Sequence, residues 1–471
     1  MMLKIFNSLT RSVDEFVPIE HGKVRMYSCG PTVYNYQHIG NFRTFFFEDI
    51  LVRVLKYNDY EVKYVMNITD VGHLTSDHDE GEDKMEKSAK EKGMSVWEIS
   101  KYYTEVFLKD VKLMNILVPD VYTKATDFIK EQISMVRCLE EKGFTYITSD
   151  GVYYDTSKFP DYTKLAQLDV EGMREGARIE FSEEKKNITD FALWKFSPKN
   201  EKRQMEWESP WGIGFPGWHI ECSAMSNAIL GKHFDIHCGG IDHLPVHHTN
   251  EIAQSEACTG EKYVNYWLHG EFLNMGDEKM SKSTGKFITL QSLIDEGYSP
   301  LDYRYFLLMA HYKRKLKFSI EALDSAKSGY RNLLSKLASL KKSENGAATD
   351  ETVLDGFKSK FLQAINDDLN MPVAMSVLWD MIRSNSISAK DKLELAADFD
   401  NVFGLKLIEA SEMPESGVDI PEEVSLLAAK RLEAKKSKDF KLADEIRNEI
   451  KTLGYDVVDT KDGFSINKSA S

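Results

Sequence analysis

The amino-acid sequence predicts an α/β fold: a parallel-sheet domain interrupted by an insertion, then an α-helical bundle and a small C-terminal α+β tail domain. First, residues 23–28 alternate towards apolar side chains, residues 41–57 carry them at helical spacing, and residues 60–68 return to a strand pattern. This order predicts a Rossmann-like sheet with right-handed crossovers. Second, short strand-like pieces and charged loops interrupt the pattern over 150–210. Third, helical spacing dominates from about residue 300.

These patterns divide the chain into five parts. In the second half of the sheet domain we predict strands over 234–238 and 266–274 and a helix over 249–258. A helical hairpin followed by a β-hairpin is predicted at the end of the chain. The predicted parts are residues 1–149 (first half of the sheet domain), 150–210 (connecting insertion), 211–300 (second half), 301–408 (helical bundle) and 409–471 (tail domain).

Composition narrows the class of protein. The formal net charge of −15 argues against a simple basic nucleic-acid binder, although a local basic face can still contact phosphates. There is no apolar run of about 18 residues, so we expect no membrane association. The first residues lack the apolar core of a signal peptide, and the five cysteines form no secreted framework. We therefore expect a cytoplasmic protein.

The turn between the first strand and the first helix spans residues 29–45. A strand that leads into a helix N-terminus makes an anion site, because free backbone N–H groups point outward there. Gly40 leaves room for close approach, and His38 and Asn41 add polar groups. The stretch predicts a triphosphate cradle. An ordinary strand-to-helix turn with incidental polar residues explains it equally well.

Four scattered residues are candidate zinc ligands. His247 and Glu251 are four residues apart, which places them on one face of a helix, while Cys29 and Cys222 each lie near the end of an element. From spacing alone this set is weak, because single cysteines are more often packed thiols and a His-x-x-x-Glu pair is often a salt bridge. Several neighbours are possible decoys. His248 lies beside His247, and Cys238 could be an inert packing thiol or a spurious ligand. The groups that could contact nucleotide or simply pack in the core are His219, His237, His243 and His269.

Two distant motifs give a more specific indication. Lys-Met-Ser-Lys-Ser at 279–283 follows His-Ile-Gly-Asn at 38–41 by about 240 residues, and this pair resembles the signature of class I aminoacyl-tRNA synthetases. Cys29, Gly-Trp-His-Ile-Glu-Cys at 217–222 and His-His-Thr-Asn-Glu at 247–251 resemble the cysteinyl-tRNA synthetase family in particular. The resemblance covers nearly the whole chain.

The resemblance implies roles for individual residues. It implies that one Zn²⁺ is bound by Cys29, Cys222, His247 and Glu251 and holds the substrate thiolate, which would separate cysteine from serine. A closed, purely structural zinc site is the competing interpretation. The implied catalytic residues are His38, Asn41, Lys279 and Lys282. The implied ATP-binding residues are His38, Gly40, Asn41, Gly240, Asp242 and Lys282, and Mg²⁺ would arrive with ATP. The implied amino-acid-binding residues are Thr69 and Trp218.

The sequence departs from the family pattern at several positions, and two of them bear on the candidate site. Asn41 stands where most of the class has a second histidine, so it can donate a hydrogen bond but carries no charge. Cys238 stands where glycine is expected.

The implied activity is ATP-dependent activation of L-cysteine followed by its transfer to cysteine tRNA. Residues 366–374 resemble the family's helical tRNA-binding region, and residues 438–447 resemble its anticodon-facing end. We expect a monomer. Three alternatives stay open: a zinc-dependent ligase that joins cysteine to a small sugar amine, a catalytically silent RNA-binding paralogue, and a nucleotidyltransferase of the same superfamily.

Overall fold

A computed structural model describes residues 2–71, 83–167, 184–198, 202–275, 288–343, 349–412, 422–437, 439–460 and 463–468. The helices in these ranges are α1 (Ile39–Tyr57), α2 (Lys84–Lys92), α3 (Val96–Leu113), α4 (Ile129–Glu141), α5 (Ile220–Leu230), α6 (His247–Thr259), α7 (Leu290–Asp295), α8 (Pro300–Leu308), α9 (Ile320–Lys341), α10 (Glu351–Asn366), α11 (Met371–Arg383), α12 (Ala389–Phe403), α13 (Leu407–Ala410), α14 (Glu422–Lys436) and α15 (Phe440–Thr452). The strands are β1 (Lys4–Asn7), β2 (Ser12–Glu15), β3 (Lys23–Ser28), β4 (Glu61–Ile68), β5 (Val121–Lys124), β6 (Thr145–Ile147), β7 (Gly151–Tyr154), β8 (Phe191–Phe196), β9 (Trp207–Ser209), β10 (Gly212–Pro216), β11 (Phe234–Gly240), β12 (Val264–Gly270), β13 (Leu273–Met275), β14 (Leu316–Phe318), β15 (Tyr455–Thr460) and β16 (Gly463–Lys468).

Five strands form the central sheet in the order β12–β11–β3–β4–β5. All four pairings are parallel. Helix α1 connects β3 to β4, α3 lies between β4 and β5, and α6 connects β11 to β12. Strand β11 is buried at every position, as expected for a parallel strand whose two faces are both covered. The predicted Rossmann-like parallel sheet is therefore confirmed.

The strand order reverses between β3 and β11. The chain places β4 and β5 on one side of β3, and later returns to place β11 and β12 on the other side. Cys29 directly follows β3, and its backbone N–H donates to the carbonyl oxygen of Cys238 at 3.0 Å. Ligands of open α/β sheets bind outside the carboxyl ends of the strands at such a reversal. The first candidate metal ligand thus lies where this fold favours a binding site.

An antiparallel sheet separates the two halves of the central sheet. Its order is β6–β7–β8–β10–β9, and it spans Thr145–Pro216. The described residues of the predicted insertion at 150–210 lie within this span, which extends a few residues beyond each end. Aromatic packing forms its core: the rings of Tyr154 and Phe191 stack at 5.1 Å between centroids, and Trp194 is fully buried.

The predicted strand over 266–274 is wrong in its second part. Strand β12 ends at Gly270, and the backbone N–H of Glu271 then donates to the carbonyl oxygen of Tyr312 at 2.9 Å. This contact takes the chain out of the central sheet. Residues 273–275 instead form β13, which pairs in parallel with β14.

Helices α8 to α12 form the helical bundle predicted after residue 300. The rings of Phe361 and Phe399 stack inside it, with 3.9 Å between centroids. The bundle packs against α1, where the Tyr57 hydroxyl donates to the carboxylate of Asp398 at 2.7 Å.

A buried ionic network joins the bundle to α1. The guanidinium of Arg304 donates to the Asp49 carboxylate at 2.5 Å and to the carbonyl oxygen of Phe403 at 2.7 Å. Asp49 also accepts from Arg53 at 2.9 Å. Arg304 and Asp49 both have 0% exposed surface. The network connects α1, α8 and the end of α12.

The chain divides into two compact units, residues 1–407 and 408–471. In the second unit, α14 and α15 precede an antiparallel β15–β16 hairpin, as predicted. Lys461 and Asp462, which stand between the two strands in the sequence, lie outside the described residues. The core of this unit consists of Val424, Ala428, Ile446, Ile450, Tyr455 and Val457. The exact domain boundaries given above remain predictions.

Among the described helices, none has the length and apolar character needed to cross a membrane.

Candidate metal centre and active site

The four candidate zinc ligands meet at the carboxyl edge of the central sheet. One donor atom each from Cys29, Cys222, His247 and Glu251 lies within 4.8 Å of every other, and all four side chains are buried. Cys29 follows β3, Cys222 lies in the first turn of α5, and the other two lie on one face of α6. Two thiols, an imidazole and a carboxylate are the donor types that Zn²⁺ prefers, so this set fits that ion.

A second set of donors shares two members with the first. Cys29, Glu251, His237 and His248 also have donor atoms within 4.8 Å of one another. The Cys29 Sγ lies 3.3 Å from Nε2 of His248, and His237 Nε2 lies 2.8 Å from Oε2 of Glu251. Nothing in the sequence pattern distinguished His237 and His248 from the neighbouring histidines. The structure therefore offers two ways to complete a metal site around Cys29 and Glu251.

Burial and neighbouring side chains shift the pKa values of several of these donor groups. Burial raises the pKa of the Cys29 thiol well above its usual value, and burial likewise lowers the pKa of His247. Burial alone would raise the pKa of Glu251, but the nearby His237 and His247 hold it below its usual value. The ionised Glu251 carboxylate and the neutral His247 imidazole are thus in the forms that bind a metal ion, whereas the Cys29 thiol must lose its proton to do so.

A chain of hydrogen bonds extends away from Cys29. His248 faces Cys29 through Nε2, and its Nδ1 lies 2.8 Å from Nε2 of His269. Nδ1 of His269 in turn lies 2.7 Å from the Ser8 hydroxyl. Such outer contacts fix the orientation and tautomer of an imidazole.

The metal centre opens onto a pocket of about 320 Å³. Cys29 lines this pocket, and so does Trp218, whose ring stacks on His247 at 4.8 Å between centroids. His38, Asn41 and Asp242 line the same pocket. The predicted phosphate motif and the predicted metal centre therefore share one cavity.

His38 and Asn41 form the N-terminal cap of α1. Nδ1 of His38 accepts from the Asn41 backbone N–H at 3.1 Å, while Oδ1 of Asn41 accepts from the His38 backbone N–H at 3.1 Å. Because Nδ1 is an acceptor, the neutral ring carries its proton on Nε2. Burial lowers the pKa of His38, and the Asp242 carboxylate partly offsets this effect. Asn41 thus contributes a reciprocal capping contact that its sequence position did not indicate.

Two glycines allow close packing beside these polar groups. A Cβ atom on Gly40 would lie 2.9 Å from ring atoms of His38. A Cβ atom on Gly240 would lie 2.3 Å from Oδ1 of Asp242, so this carboxylate folds back over the end of β11.

Thr69 lies at the end of β4, directly beside the turn after β3. Its backbone N–H donates to the carbonyl oxygen of Pro31 at 3.0 Å, and its hydroxyl accepts from Asn67 at 2.9 Å. The adjacent Asp70, which also follows the strand, uses its carboxylate to bind the backbone and hydroxyl of Thr126. Asp70 therefore orders the residues that lead from β5 into α4.

Lys279 and Lys282 lie outside the described residues. The chain on either side is anchored to α1: Arg43 donates to the carbonyl oxygen of Phe272, and the Ile39 backbone N–H donates to the carbonyl oxygen of Ile288 at 2.9 Å.

The remaining cysteines take no part in either donor set. Cys138 on α4 and Cys258 on α6 form a disulfide. Cys238, which the sequence left ambiguous, is fully buried in β11.

Comparison with solved structures supports the fold. The structure of Mycobacterium tuberculosis methionyl-tRNA synthetase in complex with methionyl-adenylate matches with a TM-score of 0.56 over 84% of this chain and 92% of that chain. The sequences are only 16% identical, so this likeness is one of fold.

The sequence comparisons show which protein family the chain belongs to. The family model described as tRNA synthetases class I (C) catalytic domain matches residues 15–328, and the chain belongs to this family. A protein of Treponema denticola named cysteine–tRNA ligase is 48% identical over 96% of this chain and 97% of its own length. A protein of Burkholderia lata named cysteine–tRNA ligase 1 is 49% identical over 98% of this chain and 96% of its own length.

Proposed function

We propose that this protein is a cytoplasmic cysteine–tRNA ligase. It activates L-cysteine with ATP to cysteinyl-adenylate and pyrophosphate, and then transfers cysteine to the 3′ end of cysteine tRNA. The observation that carries this proposal is the shared pocket, in which Cys29 of the metal centre and His38 of the phosphate motif both line one cavity. A substrate that bridges a thiol-binding centre and a triphosphate would fit such a cavity. The close relatives named as cysteine–tRNA ligases support the same activity.

The residues that would hold one Zn²⁺ are Cys29, Cys222, His247 and Glu251. When bound, the ion would supply a Lewis-acid site for the cysteine thiolate. A cavity shaped only by size would separate cysteine from serine poorly, because a difference of one atom is worth about 1–3 kcal/mol. Trp218 is proposed to contact the amino acid next to this centre, because its ring stacks on His247 and lines the pocket. Thr69, held beside Pro31, is proposed to contact the same substrate.

The activation step needs positioning and charge stabilisation more than covalent chemistry. We assign phosphate contacts to His38 through its Nε2–H and to the side-chain amide of Asn41, whose carbonyl oxygen is engaged in the cap. Gly40 leaves space for the nucleotide, and Gly240 and Asp242 are proposed to bind its ribose. Lys282, with Lys279, is proposed to stabilise the leaving pyrophosphate, and Mg²⁺ would enter with ATP.

The tRNA would be bound by the helical region 301–408 and by the tail 409–471. We propose that the protein acts as a monomer.

The test is transfer of labelled cysteine, in the presence of ATP, to a tRNA transcript that carries the cysteine anticodon, with serine as competitor. Charging with cysteine alone is the expected result. Cysteine-dependent ATP–pyrophosphate exchange without charging would instead identify a ligase for a small amine. No exchange at all would identify a silent paralogue.

The variant Gly40→Ala is expected to slow cysteine-dependent ATP–pyrophosphate exchange by about 100-fold. The added methyl would lie 2.9 Å from the His38 ring and push it out of position, and a displacement of about 1 Å can cost a factor of this size. Gly356→Ala, in a helix where an added Cβ meets nothing within 4 Å, is the matched control and should exchange at the wild-type rate. A normal rate for Gly40→Ala would show that His38 has no positional role.

A further inference from the structure

Exposed tyrosines lie at the rim of the active-site pocket. Tyr36 lines the pocket and is 47% exposed, and Tyr102 on α3 is 43% exposed. Their hydroxyl oxygens lie 2.8 Å apart. Both rings also meet the buried Tyr103 edge to face at 5.1 Å. Tyr103 thus supports two exposed aromatic rings, which lead from the pocket to the protein surface.

A lysine-rich helix lies next to this pair. Helix α2 carries four lysines and two glutamates, with the sequence Lys-Met-Glu-Lys-Ser-Ala-Lys-Glu-Lys over 84–92. The Ser88 hydroxyl donates to the carbonyl oxygen of Tyr34 at 2.8 Å, which fixes the tyrosine-bearing turn on α2. Lys92 Nζ lies 5.6 Å from the centre of the Tyr103 ring. Within α2 the lysines outnumber the glutamates by two, and Asp83, which precedes the helix, is paired with Arg203. The residues 77–82 before it carry four more acids, so the positive charge is confined to the helix itself.

We propose that Tyr36, Tyr102 and helix α2 form a docking surface for the single-stranded 3′ end of the acceptor RNA. Base rings stack on tyrosine with little sequence preference, and lysines on the same path neutralise phosphates. The RNA end must reach the pocket to receive the amino acid, and Tyr36 belongs to both the pocket and this surface. The inference rests on the proposed tRNA ligase function and names where its RNA substrate enters.

The experiment compares two RNAs and three variants. The RNAs are a cysteine tRNA transcript and the same transcript without its unpaired 3′ nucleotides. The variants are Tyr102→Ala, Tyr102→Phe and Trp97→Ala. Trp97 is a suitable control because it is 49% exposed on the same helix, but lies five residues away, about 140° around the helix axis.

Tyr102→Ala is expected to weaken binding of the complete tRNA by about tenfold, the effect of losing one stacking ring. It should not change binding of the truncated tRNA. Tyr102→Phe keeps the ring and should bind as the wild type does, as should Trp97→Ala. Because Tyr102 and Trp97 are both surface side chains, thermal melting should show that all three variants are folded.

Equal losses on both RNAs, or no loss on either, would overturn the docking surface while leaving the ligase function intact. A rise in the KM for ATP without a change in RNA binding would assign the rim to the nucleotide and would also overturn it. Failure of the wild-type protein to charge or bind tRNA would overturn the proposed function together with this inference.

Discussion

Replacing Cys222 with alanine is expected to remove bound zinc while leaving the fold in place. The change deletes one of four donors, and loss of even an outer contact to a metal ligand costs about 10–100-fold in affinity. We therefore expect the zinc content to fall from one ion per chain to a small fraction after dialysis. Cysteine-dependent pyrophosphate exchange should fall by at least about 100-fold. Metal content is measured by elemental analysis and folding by circular dichroism.

Cys238→Ala provides the matched control. Its thiol is as fully buried as that of Cys222, but it belongs to neither donor set. This variant should retain its zinc and its exchange activity. Retention of zinc by Cys222→Ala would contradict the proposed ligand set.

The two overlapping donor sets can be separated in the same way. His247→Ala removes a ligand of the first set, and His248→Ala removes one of the second. If the first set holds the ion, only His247→Ala should lose most of its zinc. The opposite result would place the ion between His237 and His248. In that case Cys222 and His247 would lie near the metal ion without binding it.

The family resemblance selected the members of the first set, because residue types and spacing alone made it only a weak candidate. His247 and Glu251 are four residues apart, and helix α6 does place them side by side. Spacing alone could not distinguish His247 from His248. Adjacent residues on a helix differ by about 100° in direction, but both histidines are buried because α6 is covered on several sides. Which imidazole faces Cys29 depends on packing that the sequence does not encode locally.

The fold shows the same division between local and long-range information. Hydrophobic periodicity was sufficient to predict the parallel sheet and the helices of the bundle. It failed after Gly270, because the apolar pattern continues while the Glu271 backbone binds Tyr312, more than 40 residues away. The contact between Tyr36 and Tyr102 was equally invisible, since it joins a turn to a helix across 66 residues. Periodicity reports which face of an element is buried, but not which element covers it.

Arg304→Met is expected to lower the free energy of unfolding of the first unit by about 3 kcal/mol. Removing one partner of a buried ion pair costs about 3–5 kcal/mol, because the remaining charge stays in a low-dielectric interior. Asp49 retains Arg53 as a second partner, so we expect the lower end of this range. The carbonyl oxygen of Phe403 also loses its donor. Urea denaturation followed by circular dichroism measures the change.

Lys390→Met removes an ion pair of a different kind. Lys390 and Glu394 lie 3.7 Å apart, but their side chains are 67% and 65% exposed. Solvent screens such a pair, so the variant should change stability by less than about 0.5 kcal/mol. A loss of under 1 kcal/mol in Arg304→Met would mean that the Arg304–Asp49 pair contributes little to holding the bundle against α1. A loss near 3 kcal/mol would mean that α1, the helix that presents His38 to the pocket, is anchored to the bundle through Asp49.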